Sequence, residues 1–197
     1  MEEKLKQRPS NIIKVVLFGP ESTGKTTLAQ QLAKHYKEPW VAEYAREYLQ
    51  EKWNRTKQVC QPEDLLPIAV GQIAEENKWT EHANNILFCD TDLLETKVYS
   101  EAYYVGSCDP LLEKYALANT YDLYLLTYVD TPWVADDLRD KPDERERMFE
   151  YFKESLEINS KPYILLKGNK TERFNTAVKE IDLLLNEKIN AETYRSG

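Results

Sequence analysis

No part of this chain constrains its fold as tightly as Gly19-Pro20-Glu21-Ser22-Thr23-Gly24-Lys25-Thr26. The segment satisfies G-x-x-x-x-G-K-[ST], a loop whose backbone N–H groups cradle phosphates. It follows a nearly continuous apolar run, Ile12–Phe18, and opens an amphipathic stretch, Gly24–Tyr36, with Leu28 and Leu32 at helical spacing. Strand, loop and helix are the context this pattern requires. Glycine at both ends lets the backbone wrap an anion, and a helix starting near Gly24 points its positive dipole end at the same charge. Lys25 is then placed to reach the terminal phosphates, and the Thr26 hydroxyl to ligate Mg²⁺. Gly19–Thr27 is therefore expected to bind a nucleoside triphosphate. The loop alone does not say what accepts a phosphoryl group, or whether anything does.

The rest of the chain repeats the same alternation. Short apolar runs at Trp40–Glu43, Ile86–Asp90, Tyr121–Tyr128 and Pro162–Lys167 read as further strands, separated by longer amphipathic stretches. Helices are predicted over Gly24–Tyr36, Glu63–Ala83 (with Pro67 as its start or a kink), Asp92–Tyr104, Pro110–Asn119, Pro142–Asn159 and Thr171–Ile189. Such alternation implies an α/β fold, a doubly wound sheet of about five parallel strands flanked by helices. With no repeat, low-complexity tract or linker, residues 1–197 are expected to form one domain with an N-terminal extension over 1–11.

Composition narrows the partners. Acidic residues outnumber basic ones 34 to 26, giving a net charge of −8. A nucleic-acid binder working by counterion release needs the opposite excess, and a polybasic membrane patch is disfavoured for the same reason. The charge bears on solubility rather than on a partner. No run approaches the ~20 apolar residues of a membrane span, and the first ten residues lack the apolar core of a signal peptide. Cys60, Cys89 and Cys108 match no zinc spacing. A soluble, cytoplasmic protein is expected.

Several polar residues fall where strands should end. Asp90 closes a predicted strand, where a carboxylate that organises Mg²⁺ belongs; helix capping is the alternative. Asp92 suits either a helix cap or the acceptor side. Glu43 ends the second strand with Arg46 three residues on, placed to orient and deprotonate an attacking hydroxyl, or else to form a surface helix pair. The segment from Asp130 to Asp140 carries Pro132, Trp133 and Arg139 without periodicity. It reads as a lid over about 131–142, with Arg139 neutralising charge on a transferred phosphoryl group and Arg145 or Arg147 in support; a solvated loop is the alternative. His35 and His82 read as structural or surface residues. The 13 tyrosines and four tryptophans mostly read as core.

With these residues in view, the chain resembles the ribosylnicotinamide kinase domain of NadR-type proteins, within the P-loop kinase superfamily. The resemblance runs from about Ile12 to the last helix. It is carried by GPESTGKTT (Gly19–Thr27), EYAREYL (Glu43–Leu49), IAVGQ (Ile68–Gln72), CDTDLLETK (Cys89–Lys97), YDLYLL (Tyr121–Leu126), TPWVADDLR (Thr131–Arg139) and the G-N-x-x-x-R of Gly168–Arg173. It implies transfer of a phosphoryl group from ATP, with Mg²⁺, to the 5′-hydroxyl of nicotinamide riboside. On that basis Gly19–Thr27 would hold the ATP phosphates, with Asn169 and Arg173 at the adenine end. Asp90 and Thr26 would serve the metal. Glu43, Arg46 and Asp92 would face the riboside, either Glu43 or Asp92 as the base, with Trp133 and Arg139 in the lid. The chain departs from the bifunctional members at Ala42, where they carry a tryptophan as a stacking partner for the pyridine. Trp40, Tyr44, Trp53 and Tyr103 are the candidates to replace it. No room precedes Ile12 for the adenylyltransferase or DNA-binding domains of those proteins, so their other activities are not implied. Three alternatives stay open: a kinase of another nucleoside or nucleotide, a GTP-binding switch using Asn169-Lys170-Thr171-Glu172 as an approximate N-K-x-D, and a regulatory ATPase.

Overall fold

The computed structural model describes residues 2–104, 108–136, 138 and 142–196. Its centre is β1 (Ile13–Phe18), buried at every position. Ile13, Val15 and Leu17 pack into one apolar cluster and Val16 and Phe18 into another, so the strand is covered on both faces. That is why its sequence shows an unbroken apolar run instead of alternation.

Four more strands join it: β2 (Trp40–Val41), β3 (Ile86–Asp90), β4 (Leu123–Thr127) and β5 (Tyr163–Leu166). Among the described residues they form one parallel sheet in the order β2-β3-β1-β4-β5. The helices are α1 (Lys25–Tyr36), α2 (Tyr44–Thr56), α3 (Pro62–Thr80), α4 (Leu93–Tyr103), α5 (Pro110–Ala118), α6 (Arg145–Ile158) and α7 (Lys170–Ser196). Leu28 and Leu32 of α1 and Ala177 and Ile181 of α7 cover one face of the sheet. Residues of α3, α4, α5 and α6 cover the other. The expected doubly wound α/β class is therefore observed. The winding reverses around β1, and in such sheets ligands bind at that reversal, outside the carboxyl ends of the strands. The register pairs Leu17 with Asp90, so the loop after β1 and the end of β3 lie side by side there.

Three details differ from the sequence reading. The second strand has two residues, not four, because Glu43 becomes the N-cap of α2. Helix α2 stands where the sequence offers a helix only as the alternative reading of Glu43 and Arg46; none of its residues is fully buried, so it carries no clear apolar stripe. Pro67 lies inside α3, which starts at Pro62 under a capping box between Gln61 and Asp64. The N-terminal extension is docked. A 3₁₀ turn, Glu2–Leu5, buries Leu5 completely, and Gln7 donates to Glu76 at 2.8 Å. No described helix is long and apolar enough to cross a membrane.

Candidate active site

The loop between β1 and α1 is shaped by two glycines. Gly19 has φ +133°, and a Cβ there would fall 2.8 Å from Thr127 Oγ1 on β4. Gly24, at φ +88°, turns the chain into α1. Thr23 ties the loop down: its hydroxyl donates to the Pro20 carbonyl at 2.8 Å and lies 2.7 Å from Thr127 Oγ1. Beneath, the Arg173 guanidinium donates to the Thr23 carbonyl (2.6 Å), the Tyr128 carbonyl (2.8 Å), the Gly168 carbonyl (3.0 Å) and the Asp130 carboxylate. Asp130 also takes the Gly168 N–H at 2.6 Å. These contacts join the ends of β4 and β5 to the apex of the phosphate loop.

Lys25 is almost fully buried. Its ammonium donates to the Gly19 carbonyl (2.6 Å) and the Pro20 carbonyl (3.1 Å), and pairs with Glu95 Oε1 at 3.1 Å. Burial favours the neutral amine, but the carboxylates of Glu95, Glu43 and Asp90 outweigh it and hold the pKa above the usual lysine value. The Thr26 hydroxyl donates to Asp90 Oδ2 at 2.5 Å, while Asp90 Oδ1 is buried with no hydrogen-bond partner. Burial and the nearby Glu43 charge push the Asp90 carboxyl up to about 6, against the opposing pull of Lys25 and Thr26. A free oxygen beside a threonine hydroxyl is a hard donor set, as Mg²⁺ prefers. Among the described residues no group of three or more His, Cys, Asp or Glu forms a metal cage.

Across the cleft stands the start of α2. Glu43 caps this helix through its backbone while its side chain makes no capping bond, which leaves the carboxylate for the cleft. Glu43, Arg46 and Leu49 share one helix face and, with Ala42, line the same cavity of about 410 Å³ as the phosphate loop. Arg46 is paired with Asp136 at 2.6 Å. Helix α3 sets the position of this wall. The buried Gln72 accepts the Tyr44 N–H at 2.8 Å and donates to the Ala42 carbonyl at 3.4 Å, gripping the backbone on both sides of Glu43. Gly71 leaves room for the Tyr44 ring, because a Cβ there would lie 2.1 Å from Tyr44 Cε1.

Asp92, Tyr44 and Tyr103 are not among the residues lining this cavity, and the other described residues expected at the site make contacts around it. Asp92 is 1 % exposed; its oxygens accept the Glu95 N–H (3.0 Å) and the Tyr124 hydroxyl (2.7 Å), so it caps α4. Burial pushes its carboxyl up to about 7 despite these bonds. Tyr44 turns to Gly71 and does not line the cavity. Tyr103, at the end of α4, is likewise not part of the lining, whereas Tyr99 one turn earlier is. Trp133 stacks under the Arg145 guanidinium, 5.7 Å from ring centroid to Cζ. Arg145, not Arg147, ties down Thr131 by donating to the carbonyls of Thr131 (2.9 Å) and Ser22 (3.1 Å). Arg139 lies outside the described residues. Arg173 spends its donors beneath the loop, as described above. Asn169 caps α7: its Oδ1 accepts the N–H groups of Thr171 and Glu172, and Glu172 accepts the Asn169 N–H. The Asn and Glu of the approximate guanine-reading motif are thus engaged with each other.

Glu95 and Tyr99 are lining residues that the sequence reading overlooked. Glu95 is 3 % exposed, and its Oε2 has no hydrogen-bond partner. Burial raises its pKa well above the carboxylate range, opposed by Lys25 and reinforced by Glu43 and Asp90.

The chain is similar to three characterised proteins. The trifunctional NAD biosynthesis/regulator protein NadR of Salmonella typhimurium is 31 % identical over 132 residues, 67 % of this chain and 32 % of that protein. The chain thus spans about a third of that relative's length. A crystal structure of NadR protein in complex with NR superposes with a TM-score of 0.74 at 24 % identity, over 87 % of this chain and 51 % of that one. Deoxyadenosine kinase from M. mycoides gives a TM-score of 0.61 at 14 % identity, over 86 % of this chain and 99 % of the other. The P-loop kinase fold is shared by all of these structures. The AAA domain family model matches residues 14–173, from β1 to the Arg173 strut, and the chain belongs to that family.

Proposed function

We propose that this chain is a nucleoside kinase that transfers the γ-phosphate of ATP to the 5′-hydroxyl of nicotinamide riboside, yielding nicotinamide mononucleotide. The observation that carries this reading is a single cleft with two chemically distinct walls. One wall has the phosphate loop, Lys25 and the Thr26–Asp90 pair; the other has Ala42, Glu43, Arg46 and Leu49. Its volume of about 410 Å³ suits a small molecule against a phosphate chain. The E-Y-x-R-E segment and the similarity to NadR support nicotinamide riboside as the acceptor.

On this reading Gly19–Thr27 holds the triphosphate, and Lys25 exchanges the carbonyls of Gly19 and Pro20 for phosphate oxygens. Glu43 orients the acceptor hydroxyl and takes its proton as the 5′-oxygen bonds to phosphorus and the bond to the ADP oxygen breaks. Asp90 and Thr26 would hold Mg²⁺, which when bound neutralises charge on the phosphates. Arg139, by the resemblance, would neutralise charge on the transferred phosphoryl group. Catalysis is then mostly positioning and electrostatics.

The test is steady-state ADP release from the full chain. Lys25→Ala should lower turnover by about 10²–10³, the usual cost of losing one such stabiliser. Glu43→Gln should lower kcat at saturating riboside and leave the KM for ATP unchanged. Wild-type turnover in either variant would contradict the role given to that residue.

A further inference from the structure

Two arginines stand behind the phosphate loop and hold consecutive carbonyls. The Ser22 carbonyl accepts the Arg145 guanidinium at 3.1 Å and the Thr131 hydroxyl at 2.8 Å. The next carbonyl, that of Thr23, accepts Arg173 at 2.6 Å. Neither arginine is among the described residues lining the cleft, whereas Ser22, Thr23 and Gly24 are. The C=O and N–H of a trans peptide point in opposite directions, and no described peptide is cis. Fixing the Ser22 carbonyl therefore fixes the Thr23 N–H, and fixing the Thr23 carbonyl fixes the Gly24 N–H. Among the described residues neither of these N–H groups has an acceptor.

The backbone here needs such holding. Ser22 has φ +56°, a left-handed conformation that residues with a side chain rarely adopt. Its hydroxyl is held as well, accepting the Val134 N–H at 2.9 Å. A guanidinium on a carbonyl also polarises the peptide and strengthens its N–H as a donor.

We propose that Arg145 and Arg173 are positioning residues for the donor phosphates. From behind the loop, Arg145 aims the Thr23 N–H and Arg173 the Gly24 N–H into the space that a phosphate fills. The inference rests on the reading of Gly19–Thr27 as a triphosphate site, and it moves Arg173 from the adenine end to the phosphates. On this account neither guanidinium touches the nucleotide.

The experiment records amide NMR spectra of the isotope-labelled full chain, titrated with inorganic tripolyphosphate and Mg²⁺ and, separately, with adenosine. The variants are Arg145→Met and Arg173→Lys; the second keeps a positive charge beside Asp130 but loses the planar fork that reaches Thr23. Each should weaken tripolyphosphate binding by about tenfold or more, as expected for one charge-assisted hydrogen bond, and leave adenosine binding unchanged. Before any ligand is added, the Thr23 amide should shift in Arg145→Met and the Gly24 amide in Arg173→Lys. Wild-type positions for the strand amides in the same spectra show that the variant is folded, and Arg145→Met, at a half-buried position, decides the matter if Arg173→Lys does not fold. Weakened adenosine binding with tripolyphosphate unaffected would place the arginines at the base and overturn the inference. Weakened tripolyphosphate binding with both loop amides unshifted in the free variants would make the arginines direct ligands and overturn it too. A wild-type spectrum that does not respond to tripolyphosphate would overturn the triphosphate reading, and the inference with it.

Discussion

Asp90 and Asp92 stand two residues apart and have different tasks because of the residue between them. Thr91 takes φ +75°, a region that β-branched residues rarely enter, and its N–H reaches the Leu17 carbonyl at 3.2 Å. The twist leaves Asp90 beside Thr26 and sends Asp92 under α4 to Tyr124. A carboxylate that lies outside the cavity lining with both oxygens engaged has no reach to a hydroxyl in the cleft, even though burial pushes its pKa up to about 7. Asparagine caps helices about as well as aspartate. Asp92→Asn should therefore keep turnover within about threefold of wild type, since the cap and the Tyr124 contact survive. A loss of a hundredfold or so in the same steady-state assay would return Asp92 to the list of candidate bases. Glu95 was harder to foresee. An acidic residue in the first turn of a helix is ordinarily a dipole partner, and only the fold reveals that Lys25 lies against it.

At the scale of elements, the acceptor wall depends on how α2 is held to α3. The sequence shows the phosphate loop, β1, β3 and β4 because a strand buried on both faces leaves an unbroken apolar run. It shows α2 only as an alternative at Glu43 and Arg46, because this helix buries none of its residues fully and is positioned by polar contacts instead. The IAVGQ segment is one of these, through Gln72 and Gly71. Gln72→Leu keeps the volume and removes both bonds to the backbone around Glu43. It should raise the KM for the acceptor or lower kcat by about tenfold, with the KM for ATP unchanged, and should add little to Glu43→Gln in a double-mutant cycle. Additive losses would assign Gln72 a purely structural role.

Asp64 is the second staple between these helices. It receives the Lys52 ammonium, the Tyr48 hydroxyl at 3.1 Å and the Gln61 N–H at 2.8 Å. Burial works against its ionised form, but these donors outweigh burial and keep its pKa below the ordinary 3.8. A depressed carboxylate contributes stability that is fully present above its ordinary pKa and is lost as pH falls through the folded value. Asp64→Asn should thus cost about 1–3 kcal/mol in urea unfolding near pH 7. The gap to wild type should close as the pH drops below 3.8. A gap of constant size across that range would contradict the assignment.

Over the whole molecule, a doubly wound sheet explains why residues distant in sequence converge at one reversal point. Arg173 reaches the Thr23 carbonyl across 150 positions, and Tyr124 reaches Asp92 across 32. Spacing within the sequence cannot announce such partners. This is why the motif G-N-x-x-x-R was legible as a motif, while its use as a helix cap and a strut was not. The same convergence puts the phosphate loop and the Glu43 wall on one cavity, and the proposed kinase activity stands on that pairing. The most direct measurement is mass spectrometry of the products formed from ATP and Mg²⁺ with nicotinamide riboside and a panel of common nucleosides. The account predicts nicotinamide mononucleotide well above every other product, with matching ADP. Preferred phosphorylation of another nucleoside, or tight ATP binding with no phosphorylated acceptor, would contradict it.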